Sequence, residues 1–212
     1  MIKAPPAVED LAQTSDEVLM NRYRDEGRSE DFSTLMRRYE RELFRYLARY
    51  LGDSSLADDV FQNTFLQVHL KRGLYENGRP FRPWLYAIAT HQAVDALRKA
   101  GRHPTISLDV RAPSAESDPS ALIDLLVSDT PGPLSNLQEE ERRLWVQRSI
   151  GKLPESLRQT LMLAYYEDLK YREIADILDI PVGTVKSRLH AALAKLSEMA
   201  KLTAQDPSEG TP

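Results

Sequence analysis

Residues 169–196 read LKYREIADILDIPVGTVKSRLHAALAKL, and this stretch decides the fold. Ile174, Ala175 and Leu178 recur at helical spacing and give one short helix an inward face, while Val185, Leu189, Leu193 and Leu196 form the apolar stripe of a second. Residues 179–182 predict the turn between them. Ala175 is small where two helices must approach closely, and Val185 can seal the crossing. Two short helices joined so tightly make a helix-turn-helix. Gly183 and Thr184 begin the second helix, whose first turns expose Thr184, Lys186, Ser187, Arg188 and His190, donors suited to base edges and phosphates. The competing reading is an ordinary helical hairpin with a solvated basic face, because this apolar spacing is common.

Upstream, a helical pattern runs from Leu137 through Leu144, Trp145 and Ile150, breaks at Leu153-Pro154, and resumes with Leu157, Leu161 and Tyr165. Pro154 suits a first helical position. Residues 105–134 hold four prolines and many serines and acids, with an apolar interlude at 122–127 and no sustained period, so they read as a linker. The first half is helical again. Thr14 and Glu17 suggest a capping box that opens a short helix through Val18, Leu19 and Tyr23, which Gly27 can end. Phe32, Leu35, Met36, Tyr39, Leu43, Leu47 and Tyr50 mark one face of a longer helix stopped by Gly52. Asp53 can cap the next, with Leu56, Val60, Thr64, Phe65 and Val68 inward. Residues 73–83 read as a loop leading to a helix from Trp84 through Lys99. The expectation is an all-α chain of two small helical domains joined by a flexible acidic linker, the second containing the helix-turn-helix. Its parts are a flexible arm (1–13), a first domain (14–103), the linker (104–136), a second domain (137–202) and a flexible tail (203–212).

The 212 residues carry 42% apolar and 28% charged side chains, as ordinary globular chains do. No apolar run approaches the roughly 18 residues of a membrane span, and residues 1–11 lack a signal-peptide layout, so a cytoplasmic protein without membrane insertion is expected. Zero cysteines exclude disulfides, thiolate metal sites and cysteine nucleophiles. Nine glycines and the absence of a G-x-G-x-x-G or Walker-type string argue against a nucleotide enzyme. His69, His91, His103 and His190 are dispersed without metal-ligand spacing, and no nucleophile stands beside a base. No cofactor, metal or catalytic residue is expected.

A net charge of −4 argues against a uniformly basic nucleic-acid binder, yet the charge is unevenly spread. Residues 71–111 hold eight Lys/Arg against three acids, 112–141 hold seven acids and no base, and 182–201 hold four bases against one acid. Two basic islands flanking an acidic strap suggest two nucleic-acid contacts and a connector that avoids them. In the first island Lys71, Arg72, Arg79, Arg82, Arg98 and Lys99 interleave with Tyr75, Phe81, Trp84 and Tyr86. Aromatic faces stack on unpaired bases at roughly 1 to 3 kcal/mol each, so such a surface prefers opened strands. Leu85 and Ile88 fit a core stripe better, and Trp84 fits either role.

These residues carry a resemblance. The segment LADDVFQNTFLQVH (56–69) resembles region 2.2 of the extracytoplasmic-function group of sigma-70 family sigma factors, RPWLYAIATHQAVDALRK (82–99) resembles regions 2.3 and 2.4, and 153–196 resembles region 4. About two-thirds of the chain is covered, in the family's order. The resemblance implies a dissociable promoter-recognition subunit of RNA polymerase. Asp58, Asp59, Gln62, Asn63 and Phe65 would dock on the clamp helices of core RNA polymerase. Tyr75, Arg79, Phe81, Arg82, Trp84, His91, Arg98 and Lys99 would bind promoter DNA at the minus-ten element and hold it open. Thr184, Lys186, Ser187, Arg188 and His190 would read the minus-thirty-five major groove. The acidic linker would thread toward the RNA exit channel, and an anti-sigma factor is one mode of control the resemblance implies.

The chain departs from the family pattern at four positions. Asn63 stands where Glu is usual, His91 where Asn is usual, and Ala191 where Arg is frequent; Asp179 takes a turn position often given to Gly, which Asp tolerates better than most residues. For Asp58 and Asp59 a solvated acidic face is the plain alternative, since neighbouring helical residues diverge by about 100°. Among other functions, a helix-turn-helix regulator acting without core polymerase predicts a dimer on symmetric half-sites. The aromatic-basic island and the acidic helix count against it, and an enzyme is weaker still.

Overall fold

The structure, a computed structural model, describes residues 11, 13–101, 137–167 and 169–205, with side chains at 137–143, 204 and 205 left undescribed. The chain divides into two compact units, Met1–Ala100 and Gly101–Pro212. The expected linker at 104–136 lies outside the described residues, as do most of the arm and residues 206–212 of the tail.

The first unit contains helices α1 (Asp16–Glu26), α2 (Ser29–Leu51), α3 (Ser54–Lys71) and α4 (Phe81–Lys99), with a 3-10 turn at Arg72–Leu74. Leu35, Tyr39, Leu43, Leu47 and Tyr50 recur every three or four residues along α2, and all are buried. That stripe takes α1 and α4 against it, and α3 packs on both α2 and α4. The ends are set locally. Gly27 and Gly52 close α1 and α2 in the left-handed conformation, at φ of 69° and 67°. The Asp53 carboxylate accepts from the Ser55 and Leu56 amides at 3.0 and 3.1 Å and opens α3.

Three expectations change here. The α1 cap is Ser15 rather than Thr14, and its Oγ accepts from the Val18 amide at 3.4 Å. Glu17 does not close a capping box; its Oε1 accepts from the Phe81 amide at 3.1 Å and so caps α4. With that cap supplied, α4 begins at Phe81, three residues before Trp84, because Pro83 falls in a first turn whose amides have no intrahelical partner anyway. Leu11, expected in a loose arm, is buried, and its carbonyl accepts from Arg38 Nη2 at 2.7 Å.

The second unit holds α5 (Leu137–Gly151), α6 (Glu155–Tyr165), α7 (Tyr171–Leu178) and α8 (Val182–Gln205). Pro154 precedes α6 as its cap residue instead of standing inside it. The long α8 packs on α5, α6 and α7, and α6 on α7. Leu153, Leu157, Leu161, Leu163, Ile174, Val185 and Leu196 make the core between them. α8 continues to Gln205, into the tail expected from 203. No strand occurs among the described residues, and the fold is all-α.

Candidate nucleic-acid interface

The α7–α8 pair is the helix-turn-helix. Ile174, Ala175 and Ile177 bury one side of α7, and Val185, Leu189, Leu193 and Leu196 bury one side of α8. Asp179 ends α7 at φ 51°, ψ 52°, and its amide donates to the Ala175 carbonyl, so the left-handed turn is made without glycine. Glu173 Oε2 accepts from the Lys170 amide at 2.8 Å and holds the start of α7.

Around the start of α8, Lys186, Ser187 and His190 are exposed, and Thr184 and Arg188 are half-buried. Ser187 Oγ donates to the Thr184 carbonyl at 3.0 Å. Arg188 has no hydrogen-bond or ion-pair partner among the described residues, and partial burial pulls its guanidinium below its ordinary value. A desolvated, unpaired fork of donors is suited to an acceptor pair brought by a ligand. Tyr171 is also exposed at the start of α7, as are Lys170 and Arg172, two cations the sequence reading passed over. Ala191 faces the core at 6% exposure, so its methyl packs within the unit.

In the first unit, Asp58, Asp59, Gln62 and Asn63 are exposed on α3, and Gln62 Nε2 donates to Asp58 Oδ2 at 3.0 Å. Phe65 is different. It is buried, with its ring 6.0 Å from Phe32 and 5.1 Å from Phe61, so it packs the unit and offers no surface contact. The steps from Asp59 to Gln62, Leu66 and Leu70 follow one helical stripe, and Leu66 and Leu70 stand 50% and 62% exposed. Sequence reading missed these two leucines. The available signal was two apolar residues, four apart, continuing a polar row.

The aromatic-basic island sorts by burial. Tyr75, Phe81 and Trp84 are buried, their ring centroids 5.0 to 6.2 Å from one another, and Tyr39 of α2 closes on Phe81 at 5.4 Å. Burial pushes the Tyr75 hydroxyl up to about 12. The stacking role expected of these three rings is corrected: they form the core under the loop, with no free face for a base. Arg82 is half-buried, 3.3 Å from Glu42 and 5.0 Å above the Tyr86 ring. Arg79, His91, Arg98 and Lys99 remain exposed, with Arg98 3.5 Å from Asp95. The loop between α3 and α4 is also exposed from Glu76 to Pro80. Among the described residues, no cluster of three or more His, Asp or Glu could hold a metal ion, and no helix is long and apolar enough to cross a membrane.

A helix-turn-helix unit presenting exposed cations, in one chain with a helical unit that exposes a basic loop edge and an acidic helix, defines a two-part helical DNA-binding protein. Comparison with known proteins makes this specific. Residues 35–103 match the family Sigma-70 region 2, and residues 143–196 match Sigma-70, region 4. The chain is 33% identical over 182 residues to the RNA polymerase sigma-H factor of Pseudomonas aeruginosa, covering 86% of this chain and 92% of that protein. It is 34% identical to the ECF RNA polymerase sigma-E factor of Escherichia coli (85% and 91% covered) and 31% identical to SigW of Bacillus subtilis (77% and 86%). The chain belongs to the sigma-70 family of RNA polymerase sigma factors, in its extracytoplasmic-function group.

Two solved structures share the fold. CnrH in complex with the cytosolic domain of CnrY gives a TM-score of 0.63 at 22% identity, covering 89% of this chain and 99% of that one. RpoE with the anti-sigma factor NepR, from Bartonella quintana, gives 0.58 at 23% identity, covering 81% and 98%. As a sigma factor the protein binds core RNA polymerase and directs promoter-specific initiation; it is not itself an enzyme. A regulator acting apart from the polymerase does not account for the region 2 match.

Proposed function

We propose that the work of initiation is divided among three exposed surfaces of this chain. The row Asp59, Gln62, Leu66 and Leu70 on α3, with Asp58 and Asn63 beside it, docks on core polymerase. Its acids supply orientation, and its leucines supply apolar area. Asn63 carries no charge, so more of the attraction falls to Asp58 and Asp59. The exposed loop at 76–80 and the outer side of α4 with His91, Arg98 and Lys99 take the opened minus-ten strand, Arg79 and the α4 cations neutralising phosphates. The buried rings of Tyr75, Phe81 and Trp84 act beneath this surface by fixing its shape.

The second unit reads the minus-thirty-five duplex. Thr184, Lys186, Ser187, Arg188 and His190 enter the major groove, and Lys170 and Arg172 at the start of α7 meet the flanking backbone. The observation that carries the reading is the half-buried Arg188 at the start of α8, without a partner among the described residues, beside exposed Lys186 and His190. Two solved neighbours are bound to an anti-sigma factor or to another protein's cytosolic domain, which supports an anti-sigma partner here. A cytoplasmic location follows from the work on DNA.

The test is to mix the protein with core polymerase and sequence transcripts initiated on genomic DNA. Starts sharing two spaced elements are expected. Charge reversal by Asp59→Lys is expected to weaken core binding while leaving duplex affinity for the minus-thirty-five element unchanged. Unchanged core affinity in that variant removes α3 from the docking surface.

A further inference from the structure

The loop proposed above to take the minus-ten strand is short, polar and exposed at its tip, yet it is tied at several points. A β-turn closes it, with the Arg79 amide donating to the Glu76 carbonyl at 3.2 Å and Gly78 at φ 81°. The buried Tyr75 hydroxyl donates to the Arg79 carbonyl. The remaining ties come from α1, an element far away in sequence. Glu17 caps the Phe81 amide at the loop's far end. At its near end Arg24 Nη1 donates to the Tyr75 carbonyl at 2.6 Å, and Nη2 donates to Asn77 Oδ1 at 3.0 Å.

Arg24 is itself held. Asp25 accepts from its Nε and Nη2 at 2.7 and 2.9 Å, a two-bond fork that fixes the plane of the guanidinium. The Arg24 side chain is only 16% exposed, and its donors are turned to the loop and to Asp25. A cation so occupied is poorly placed to contact phosphate. Its geometry instead joins a main-chain carbonyl before the turn to a side chain within it, two groups that would otherwise move independently.

We propose that Arg24 is a positioning residue for promoter opening: bridging Tyr75 and Asn77, it holds the 76–79 turn in one conformation, and that conformation sets which unpaired minus-ten base the loop accepts. The proposal rests on the assignment of this loop to the minus-ten strand. A disordered loop still attracts DNA through Arg79 but pays an ordering cost on binding and fits several bases equally. Arg24 therefore governs selectivity and strand opening more than attraction.

The experiment uses the full chain with core polymerase. It measures binding of single-stranded minus-ten oligonucleotides substituted one base at a time, open-complex formation on a duplex promoter, and the melting temperature of the free factor. Arg24→Ala is expected to flatten the preference among minus-ten bases by on the order of tenfold and to slow opening, with affinity for core unchanged. Arg24→Lys keeps the charge and loses the fork, and is expected to resemble Arg24→Ala. Asn77→Ala is expected to reduce selectivity in the parent and to add nothing in the Arg24→Ala background. Arg24→Ala with parental base preference, or full rescue by Arg24→Lys, overturns the proposal. If Asn77→Ala and Arg79→Ala both leave minus-ten binding untouched, the loop assignment fails and the proposal falls with it. Loop variants that change selectivity while Arg24→Ala does not leave the assignment standing and reject the role of Arg24 alone. A general loss of melting temperature with base preference intact identifies Arg24 as a structural tie and likewise rejects it.

Discussion

At the scale of single residues, Arg188 and Lys186 differ in kind although both are cations early in α8. Arg188 is half-buried, planar and without a partner among the described residues, whereas Lys186 is an exposed point charge. Arg188→Ala is expected to relax preference among minus-thirty-five variants, since a bidentate base contact is worth roughly 1 to 3 kcal/mol of discrimination. Lys186→Ala is expected to weaken all sequences alike and to lower the salt slope by about one. Binding across a promoter set at several salt concentrations separates the two, and an unchanged preference in the Arg188 variant moves that residue to the phosphate class. Asp31 in α2 poses a stability question instead. Its carboxylate is fully buried, lacks a hydrogen bond and lies 3.4 Å from Arg28 Nε; burial raises its pKa, and the Arg28 charge offsets this only in part. A carboxyl raised in the folded state binds protons more tightly there than in the unfolded chain. Its contribution is therefore complete below the ordinary aspartate range and is lost as pH rises through the folded value. Asp31→Asn is expected to raise the melting temperature at neutral pH, with the gain disappearing in acid; melting curves against pH check this, and a gain constant with pH excludes the titration.

At the scale of elements, the rings under the minus-ten loop now belong to packing. Trp84 is 6% exposed between Tyr75 and Phe81, so Trp84→Ala opens a cavity and is expected to cost about 3 to 5 kcal/mol. Melting temperature, closed-complex formation and strand opening should then fall together in that variant. A selective loss of opening with unchanged stability would instead return Trp84 to the DNA surface. The misreading has a physical source: aromatic rings interleaved with Lys and Arg look the same in sequence whether they face out or in. What turned them in was Tyr39, which lies on another helix. Helix α2 was legible because most of its apolar period (Leu35, Tyr39, Leu43, Leu47 and Tyr50) is buried against neighbouring helices, and Asp53, Gly27 and Gly52 act on their own neighbours, within reach of a local pattern. Glu17 was misassigned for the opposite reason. Three residues from Thr14 it fits a local cap, but its hydrogen bond goes to Phe81, across the fold. The helix-turn-helix was legible down to the left-handed Asp179, whereas the inward turn of Ala191 and the outward stripe of Leu66 and Leu70 depend on which neighbours pack against each helix.

At the scale of the whole molecule, a net charge of −4 opposes the approach of the free chain to DNA, although its charges are unevenly spread. Residues 112–141 include Glu116, Asp118, Asp124, Asp129, Glu139, Glu140 and Glu141, and the two basic islands lie on either side of them in the chain. Negative charge tethered to a cationic surface competes with phosphate at a high effective concentration, without any need for a fixed contact. Replacing Glu116, Asp118, Asp124 and Asp129 by their amides is therefore expected to raise the affinity of the free factor for non-promoter duplex severalfold at about 50 mM salt. Between about 50 and 200 mM the difference should shrink, because the Debye length falls and exposed charges are screened. Anisotropy titrations of random-sequence duplex with parent and variant, at both salt concentrations, measure the effect. Equal non-promoter affinity of parent and variant at low salt would show that the acidic stretch does not restrain the free factor's binding to DNA.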